Sequence, residues 1–401
     1  MNTEILFNDP ARASEILRGG GLVAVPTETV YGLAGNGLNP EAVHRIYDVK
    51  GRPAVKPLSL MVHDASWMDR LCTAVPSAAK ALAERFWPGP LTIILPAKEI
   101  IPEIVRAGGD TIGLRCPDHP DTLAVIEQAD LPLAAPSANP SGAPSPKTAE
   151  AVEAYFSGQI EAVIDGGACG IGTESTIVDL AHTPYRILRQ GALPEEDVWG
   201  CVQDNVAVIG ITGGTGCGKT TLLQALEKRG ALLLDADAIY HELLQTDTAM
   251  LDAIEARFPG TVQGGALQRK VLGARVFSDP EALDALNRIT HSAILSEIDR
   301  RILAWGREGG TLAAVDAVAL IESGAGKRCD AVIGVTAPRE ARIQRLIKRE
   351  GVTRDYAEHR IDAQKPDAWY REHCDYVLDN SGTMEAFIRN TEELLQEVLH
   401  E

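Results

Sequence analysis

Residues 208–221 read VIGITGGTGCGKTT: an apolar β-branched run, a glycine-rich turn, then Lys219 with two threonines behind it. Gly213, four intervening residues and Gly218-Lys219-Thr220 satisfy G-x-x-x-x-G-K-[ST], and KTTLLQALEKRG continues with helical spacing to a glycine stop. A strand, a loop and a helix in this order admit few architectures, because such a loop works at the carboxyl edge of a parallel sheet. Glycines let successive backbone N–H groups turn toward phosphate oxygens, and the helix N-terminus adds about half a positive charge there. Lys219 is placed to reach outer phosphates and the Thr220 hydroxyl to hold magnesium. Gly213, Gly216, Cys217, Gly218 and Thr221 complete the nucleotide loop, with Cys217 as a small spacer. A loop of this kind usually follows the first strand of its domain, yet here some two hundred residues come before it. The sequence therefore reads as two α/β domains, residues 1–200 and 206–401, joined by the short stretch EEDVWGCVQDN and without internal repeat.

Both halves are acidic. Residues 1–200 carry 15 Lys+Arg against 25 Asp+Glu and the remainder 23 against 31, within a net charge of −18. Neither half has the basic footprint of a general nucleic-acid binder, so a local cluster of cations is informative. No apolar segment approaches the roughly 18 residues of a membrane span, and the N-terminus lacks the order of a secretory signal. Seven scattered cysteines without a Cys-x-x-Cys pair read as reduced thiols. A cytoplasmic protein without membrane attachment is expected.

Beyond the loop, GALLLDADAIYHELL places Asp235 and Asp237 two apart in what reads as an extended run. Both carboxylates are then expected on one side at a strand's carboxyl end, where ligands of a parallel sheet sit. Helix capping is the competing reading. Further on, Arg339, Arg342, Arg345 and Lys348 fall at intervals of three, with Arg349 adjacent. A basic helical face is usually just solvated, but beside a phosphoryl-transfer site it can neutralise charge on the transferred group. The pieces TGGTGCGKTT, LLDAD, LQRKVLGARVF, NRITHSAI, LIESG, RIQRLIKREGVT and CDYVLDNSGT, in this order, resemble the dephospho-coenzyme A kinase family from about residue 206 onward. The resemblance implies a P-loop kinase with a parallel sheet flanked by helices, and ATP-dependent phosphorylation of the ribose 3′-hydroxyl of dephospho-coenzyme A. It implies Asp237 as general base, Asp235 and His291 on the acceptor side, Lys219 and Thr220 on ATP and magnesium, and Arg345 and Arg349 over the phosphates. Two places depart from the family pattern: His291-Ser292 stands for His-Pro, and Val318-Ala319-Leu320 for Pro-Leu-Leu, both on the acceptor side.

In the first half, GLVAVPTETVYGLAG begins as a strand, Leu22 to Val25, and breaks at Pro26. YDVKGRPAVKPLSLMV sets Lys50, Arg52 and Lys56 within seven residues, and the prolines at 53 and 57 argue for a stiffened loop carrying all three cations. In an acidic domain that is an anion-binding candidate. TIGLRCP puts Arg115 near a strand end, and LPLAAPSANPSGAPSPKTAEAV gives a strand, a Pro/Ser loop and an amphipathic helix. No Ser–His–Asp or Cys–His set and no close metal-ligand spacing stands out. Catalysis here would work by orienting reactants and stabilising charge.

PTETVYGL, KGRP…KPL, APSAN-SG and GTESTIVD, closed by RQG, resemble the threonylcarbamoyl-AMP synthase (YrdC/Sua5-like) family over roughly residues 8 to 195. This implies a mixed-sheet α/β domain that joins L-threonine, bicarbonate and ATP into threonylcarbamoyl-AMP with release of pyrophosphate, a product passed to tRNA-modification proteins. By the same resemblance Thr27, Arg115 and Ser175 contact threonine, while Lys50, Thr111, Ser137, Asn139, Ser145 and Arg189 contact ATP. Arg52 and Lys56 extend the cationic loop, and Lys50 and Arg52 stand as the catalytic cations. Where family members often carry a histidine this chain has Met61, with His63 two residues on and able to face the same way along a strand. A competing class of function makes this domain a module for weak, double-stranded RNA binding, fused to a P-loop kinase of some small metabolite; its acidic balance speaks against that.

Overall fold

The computed structural model describes residues 2–400, and the chain divides into two compact units at Asn205–Val206. The first is built on a ten-stranded mixed sheet. Its strands run in the spatial order Glu4–Leu6, Ala162–Ile164, Val23–Val25, Gly32–Asn36, Leu133–Ala134, Ser59–Met61, Thr111–Arg115, Leu91–Pro96, Thr176–Asp179 and Arg186–Arg189. Val23–Val25 is fully buried; it pairs antiparallel with Gly32–Asn36 and parallel with Ala162–Ile164. Between the antiparallel pair the segment 26–31 is forced out of the sheet at Pro26, which cannot donate to a ladder. The helices Pro10–Arg18 and Pro120–Ala129 pack together over one part of the sheet, where Leu17, Val25, Val125 and Ile164 share a core.

The helix Pro40–Lys50 shows how local sequence places a charge. Asn39 caps it, accepting from the N–H groups of Glu41 and Ala42, Pro40 opens it, and Gly51 at φ 57° closes it. Lys50 is thus the last helical residue and is 3% exposed, not one of three loop cations as the prolines suggested. Those prolines shape only the segment after the glycine stop. The joint between the domains likewise differs from the expected linker. Glu195–Asp204 is a helix that buries Val198, Cys201 and Val202, packs on the helix Ser77–Phe86 and pairs Asp204 with Arg85 at 2.9 Å. Its apolar positions recur at helical spacing, and three acidic residues occupy its first turn.

The second unit has a five-stranded, wholly parallel sheet in the order Leu232–Asp235, Leu312–Asp316, Ala207–Thr212, Ala331–Thr336 and Tyr376–Asp379. Its first strand is central, and the strands on its two sides come from different later segments. The carboxyl end of Ala207–Thr212 therefore opens into the crevice where such sheets bind ligands. Cores lie on both faces, one around Leu234, Met250, Ile254 and Ile298, the other around Ile211, Leu222, Ile333 and Leu395. The extended run expected through Asp235 and Asp237 is broken: the strand ends at Asp235, and the helix Ala236–Thr246 starts at once. Asp235 is the cap, accepting from the N–H groups of Asp237 (2.9 Å) and Ala238 (3.0 Å), so the capping alternative holds for it while Asp237 sits free in the first turn. No described helix is long and apolar enough to cross a membrane, and all seven cysteines are free thiols.

Candidate active sites

The first unit contains a cavity of about 210 Å³ whose wall carries Arg52, Arg115 and Arg189 together with Ser59, Thr92, Ser137, Glu174 and Ser175. Each arginine is fixed differently. Arg115 at the end of its strand is 7% exposed and donates to Glu28 (2.7 Å) and to the Thr29 hydroxyl (2.8 Å). Arg189 pairs with Glu174 (2.6 Å) and donates to the Ser175 carbonyl through two nitrogens (3.0 and 2.8 Å). Gly191 makes room for this, since a Cβ there would collide with the backbone of Glu174 and Ser175. Arg52 gives one nitrogen to the Pro57 carbonyl at 3.1 Å, and its Nε is buried without a partner. The Ser175 and Thr92 hydroxyls lie 2.9 Å apart on the same wall, and Ser145 donates to Glu174 at 3.1 Å. Lys50 lies behind this wall, its ammonium held by the carbonyls of Ser137 and Asn139. Burial, then the nearby Arg52 charge, brings its pKa down from 10.5 to about 8, and burial also depresses Arg52.

In the second unit the P-loop bends as its glycines permit, with Gly213, Gly216 and Gly218 at φ 139°, 81° and 108°. Gly213 admits no side chain, because a Cβ would run into the Val335 carbonyl. The loop opens on a pocket of about 590 Å³ lined by Lys219, Arg345, Lys348, Arg349 and Arg360 against one carboxylate, Asp316. Lys219 Nζ lies 2.8 Å from Asp316 Oδ1, an ion pair that holds the lysine against the end of the neighbouring strand. Burial raises the Asp316 pKa and Lys219 pulls it back down, with Asp235 and Asp237 adding repulsion. A separate cleft of about 250 Å³ is lined by Asp237, Tyr240, His291, Ile294, Leu295, Val318 and Ala319 among others, mostly apolar with one carboxylate at its edge. Burial lowers the pKa of His291, keeping the ring neutral over a wider range.

The model of the Sua5/YciO/YrdC family, described as telomere recombination, matches residues 15–191, and that of dephospho-CoA kinase matches residues 207–386. The threonylcarbamoyl-AMP synthase of Pyrococcus abyssi is 48% identical over 186 residues, 46% of this chain and 55% of that protein. A crystal structure of P. abyssi Sua5 complexed with L-threonine aligns over 84% of this chain and 100% of that one, at 28% identity and TM-score 0.49. A putative threonylcarbamoyl-AMP synthase of Methanocaldococcus jannaschii is 37% identical, covering 47% of this chain and 87% of that protein. A dephospho-CoA kinase of Novosphingobium aromaticivorans is 40% identical, covering 44% of this chain and 87% of that protein. The chain belongs to both families, one in each half. It spans about half the length of the synthases of P. abyssi and Bacillus subtilis.

In the synthase-family half, the cavity gathers Arg52, Arg115, Ser137, Ser175 and Arg189 of the residues expected to bind, with Ser145 one contact behind through Glu174. Thr27 is not on the wall: its hydroxyl is 2.7 Å from the Val30 carbonyl and 2.9 Å from Thr29, steadying the turn that meets Arg115. Lys56 is exposed on the loop after Arg52, and Thr111 opens its strand opposite Pro96, away from the cavity wall. Asn139 is buried with its amide donating to Pro140 and Ala143 while its Oδ1 is unpartnered. Met61 does line the cavity; His63 leaves the strand and turns to Asp64 at 3.2 Å, so it does not take the Met61 position. Sequence reasoning missed Glu174, Thr92 and Ser59; only Glu174 had a signal, inside GTESTIVD.

In the kinase-family half, the evenly spaced cations do not form one face, because a step of three residues drifts about 60° around a helix. Within the helix Arg339–Glu350, Arg339 turns to Asp362 (2.9 Å), Arg342 is buried behind the P-loop, and Arg345, Lys348 and Arg349 reach the pocket. Arg349 also pairs with Glu350. Thr220 is exposed at the pocket, Thr221 donates to the Gly218 carbonyl, and Cys217 is 1% exposed with its carbonyl taken by Asn380, as suits a spacer. Asp316 and Arg360 were missed. Asp316 had a legible signal, a carboxylate ending the apolar strand Leu312–Asp316, whereas Arg360 had none.

Proposed function

We propose that the chain is a bifunctional enzyme. Its first half forms threonylcarbamoyl-AMP and pyrophosphate from L-threonine, bicarbonate and ATP, and its second half phosphorylates the 3′-hydroxyl of dephospho-CoA. The observation that carries this reading is that each unit of an acidic chain holds its own cation-lined cavity, one without a P-loop and one built around it. In the first reaction the carbamate of threonine attacks the innermost phosphorus. Arg52 and Arg189 would bear the triphosphate charge, Arg115 and the Ser175–Thr92 hydroxyls would orient the amino acid, and Lys50 would hold the Ser137–Asn139 loop and add charge near the leaving pyrophosphate. In the second, the P-loop amides and Lys219 hold the outer phosphates while Asp237, at the edge of the apolar cleft, accepts the hydroxyl proton. Arg345, Arg349 and Arg360 spread the charge of the transferred group.

Magnesium fits the second pocket: the Asp316 carboxylate and the exposed Thr220 hydroxyl, both on its wall, are hard oxygen ligands of the kind it prefers. Bound there, it would neutralise charge between the outer phosphates. The first half's product would be consumed by tRNA-modification proteins, in the cytoplasm. An RNA-docking first domain is the weaker reading, because its arginines converge on a cavity of small-molecule size. The test supplies the intact protein with ATP and scores products. Pyrophosphate should require threonine and bicarbonate, and ADP should require dephospho-CoA; salt-sensitive RNA binding with no threonine-dependent pyrophosphate would replace the first assignment.

A further inference from the structure

The back of the P-loop is held mainly by Arg342, Gln364 and Asn380, which do not line the phosphate pocket. Every polar atom of Thr215 is occupied. Its N–H donates to Gln364 Oε1 (2.9 Å), its hydroxyl accepts from Gln364 Nε2 (2.8 Å), and its carbonyl accepts from Arg342 Nε (3.0 Å). Arg342 Nη2 donates to the same Gln364 oxygen at 2.6 Å, which closes a ring of four contacts. Gly214 is what lets this ring lie so close, since a Cβ there would meet the Arg342 guanidinium and Gln364 Oε1. Farther along the loop, Arg345 takes the Gly216 carbonyl (3.0 Å) and Asn380 the Cys217 carbonyl (2.8 Å).

In a trans peptide the carbonyl of one residue and the N–H of the next point in opposite directions. Holding the Thr215 and Cys217 carbonyls from behind therefore turns the Gly216 and Gly218 N–H groups toward the pocket that these residues line. Gln364 also lies just after the helix Arg354–Asp362, which carries Arg360 to the pocket wall.

We propose that Gln364 is a positioning residue for phosphoryl transfer. It couples the seating of the Arg354–Asp362 helix to the outward pull on the Thr215 peptide, so that the loop amides and Arg360 are in place together. This rests on the kinase reading of the second half. Gln364 lines neither the phosphate pocket nor the apolar cleft; it acts through Thr215 and Arg342.

The experiment uses the full chain with two variants, Gln364→Met, which keeps volume without polar atoms, and Thr215→Val, which removes only the hydroxyl. ATP affinity of the second half is measured by calorimetry without acceptor, as the one of the two ATP sites that Lys219→Ala removes, and ADP formation is measured with dephospho-CoA. Gln364→Met should lower kcat/KM for ATP roughly 10- to 100-fold and weaken ATP binding, leaving the KM for dephospho-CoA unchanged. Thr215→Val should lose less, and the double variant no more than Gln364→Met alone. A Gln364→Met protein that binds and turns over ATP like the wild type overturns the proposal, as does a double variant whose losses multiply. Wild-type protein that binds ATP without phosphorylating dephospho-CoA sinks the kinase reading instead, and the affinity comparison still decides the role of Gln364.

Discussion

Lys50 gives a prediction that the geometry fixes in sign and size. Its ammonium is nearly buried, held by two carbonyls, with a pKa near 8. At pH 7 about nine-tenths of free enzyme carries this charge, and at pH 9.5 about one-thirtieth. Lys50→Met should slow threonine-dependent pyrophosphate release by about 10² at pH 7, the low end for loss of a transition-state charge, because this ammonium acts from behind the cavity wall. The rate should be measured below saturating ATP, where kcat/KM reports groups of the free enzyme. Threonine's amine and the bicarbonate equilibrium also titrate, but equally for both proteins, so the readout is the ratio of wild type to variant. That ratio should fall about 30-fold between pH 7 and 9.5. A ratio that stays level across this range refutes the reasoning, because the charge would then not be the one the reaction uses. Stability follows the same group with a defined sign. Its folded pKa lies below the unfolded 10.5, so between pH 8 and 10.5 the unfolded chain holds the extra proton and stability rises with pH, by up to about 3 kcal/mol.

Lys219→Ala should cut ADP formation with dephospho-CoA by on the order of 10²–10³ and leave pyrophosphate release intact, as a coupled assay of both products on one sample would show. One substitution silencing both reactions would mean that the sites are not independent. Asp237→Asn should lower kcat for the kinase by roughly 10²–10⁴ with little change in ATP affinity, since this carboxylate lines the acceptor cleft and not the phosphate pocket; a loss confined to ATP binding counts against its role as base. Gly213→Ala should abolish ATP binding by the second half, because the new methyl has no space beside the Val335 carbonyl and φ of 139° suits glycine alone. Two calorimetric ATP sites, or ADP formation with dephospho-CoA, retained in this variant would contradict that.

What could be read from the sequence was what is local. The P-loop announces itself within fourteen residues, and its strand and helix sit where the pattern demands. Contacts closed by the fold are not legible: Asp316 shows as a strand-end carboxylate, but its meeting with Lys219 from the neighbouring parallel strand does not, and Arg360 and Gln364 arrive from a helix far along the chain and the turn just after it. The misplacements have local causes. In sequence the prolines downstream of Lys50 outweigh the helix spacing and the Gly51 stop, and so point to a loop where the fold has a helix end. Asp235 and Asp237 were put on one strand because a capping aspartate and a strand-end aspartate look alike in sequence. In the first half the signature stretches led to the cavity, but did not separate its wall from its second layer: Arg115 and Ser175 face inward and Thr27 stands behind them.

Two of the three arginines around the first cavity come with escorts, Glu28 for Arg115 and Glu174 for Arg189, while Arg52 has no carboxylate within ion-pair distance among the described residues. A single anionic group meets an uncontested guanidinium only at Arg52; at Arg115 and Arg189 it faces a glutamate already seated. Displacing a glutamate takes either a ligand group that replaces its hydrogen bonds one for one or a molecule with several concentrated charges. Under the proposed synthase reading the resident acids would set an admission threshold, weighing on chloride and stray carboxylates more than on a ligand, such as a triphosphate, that brings several charges at once.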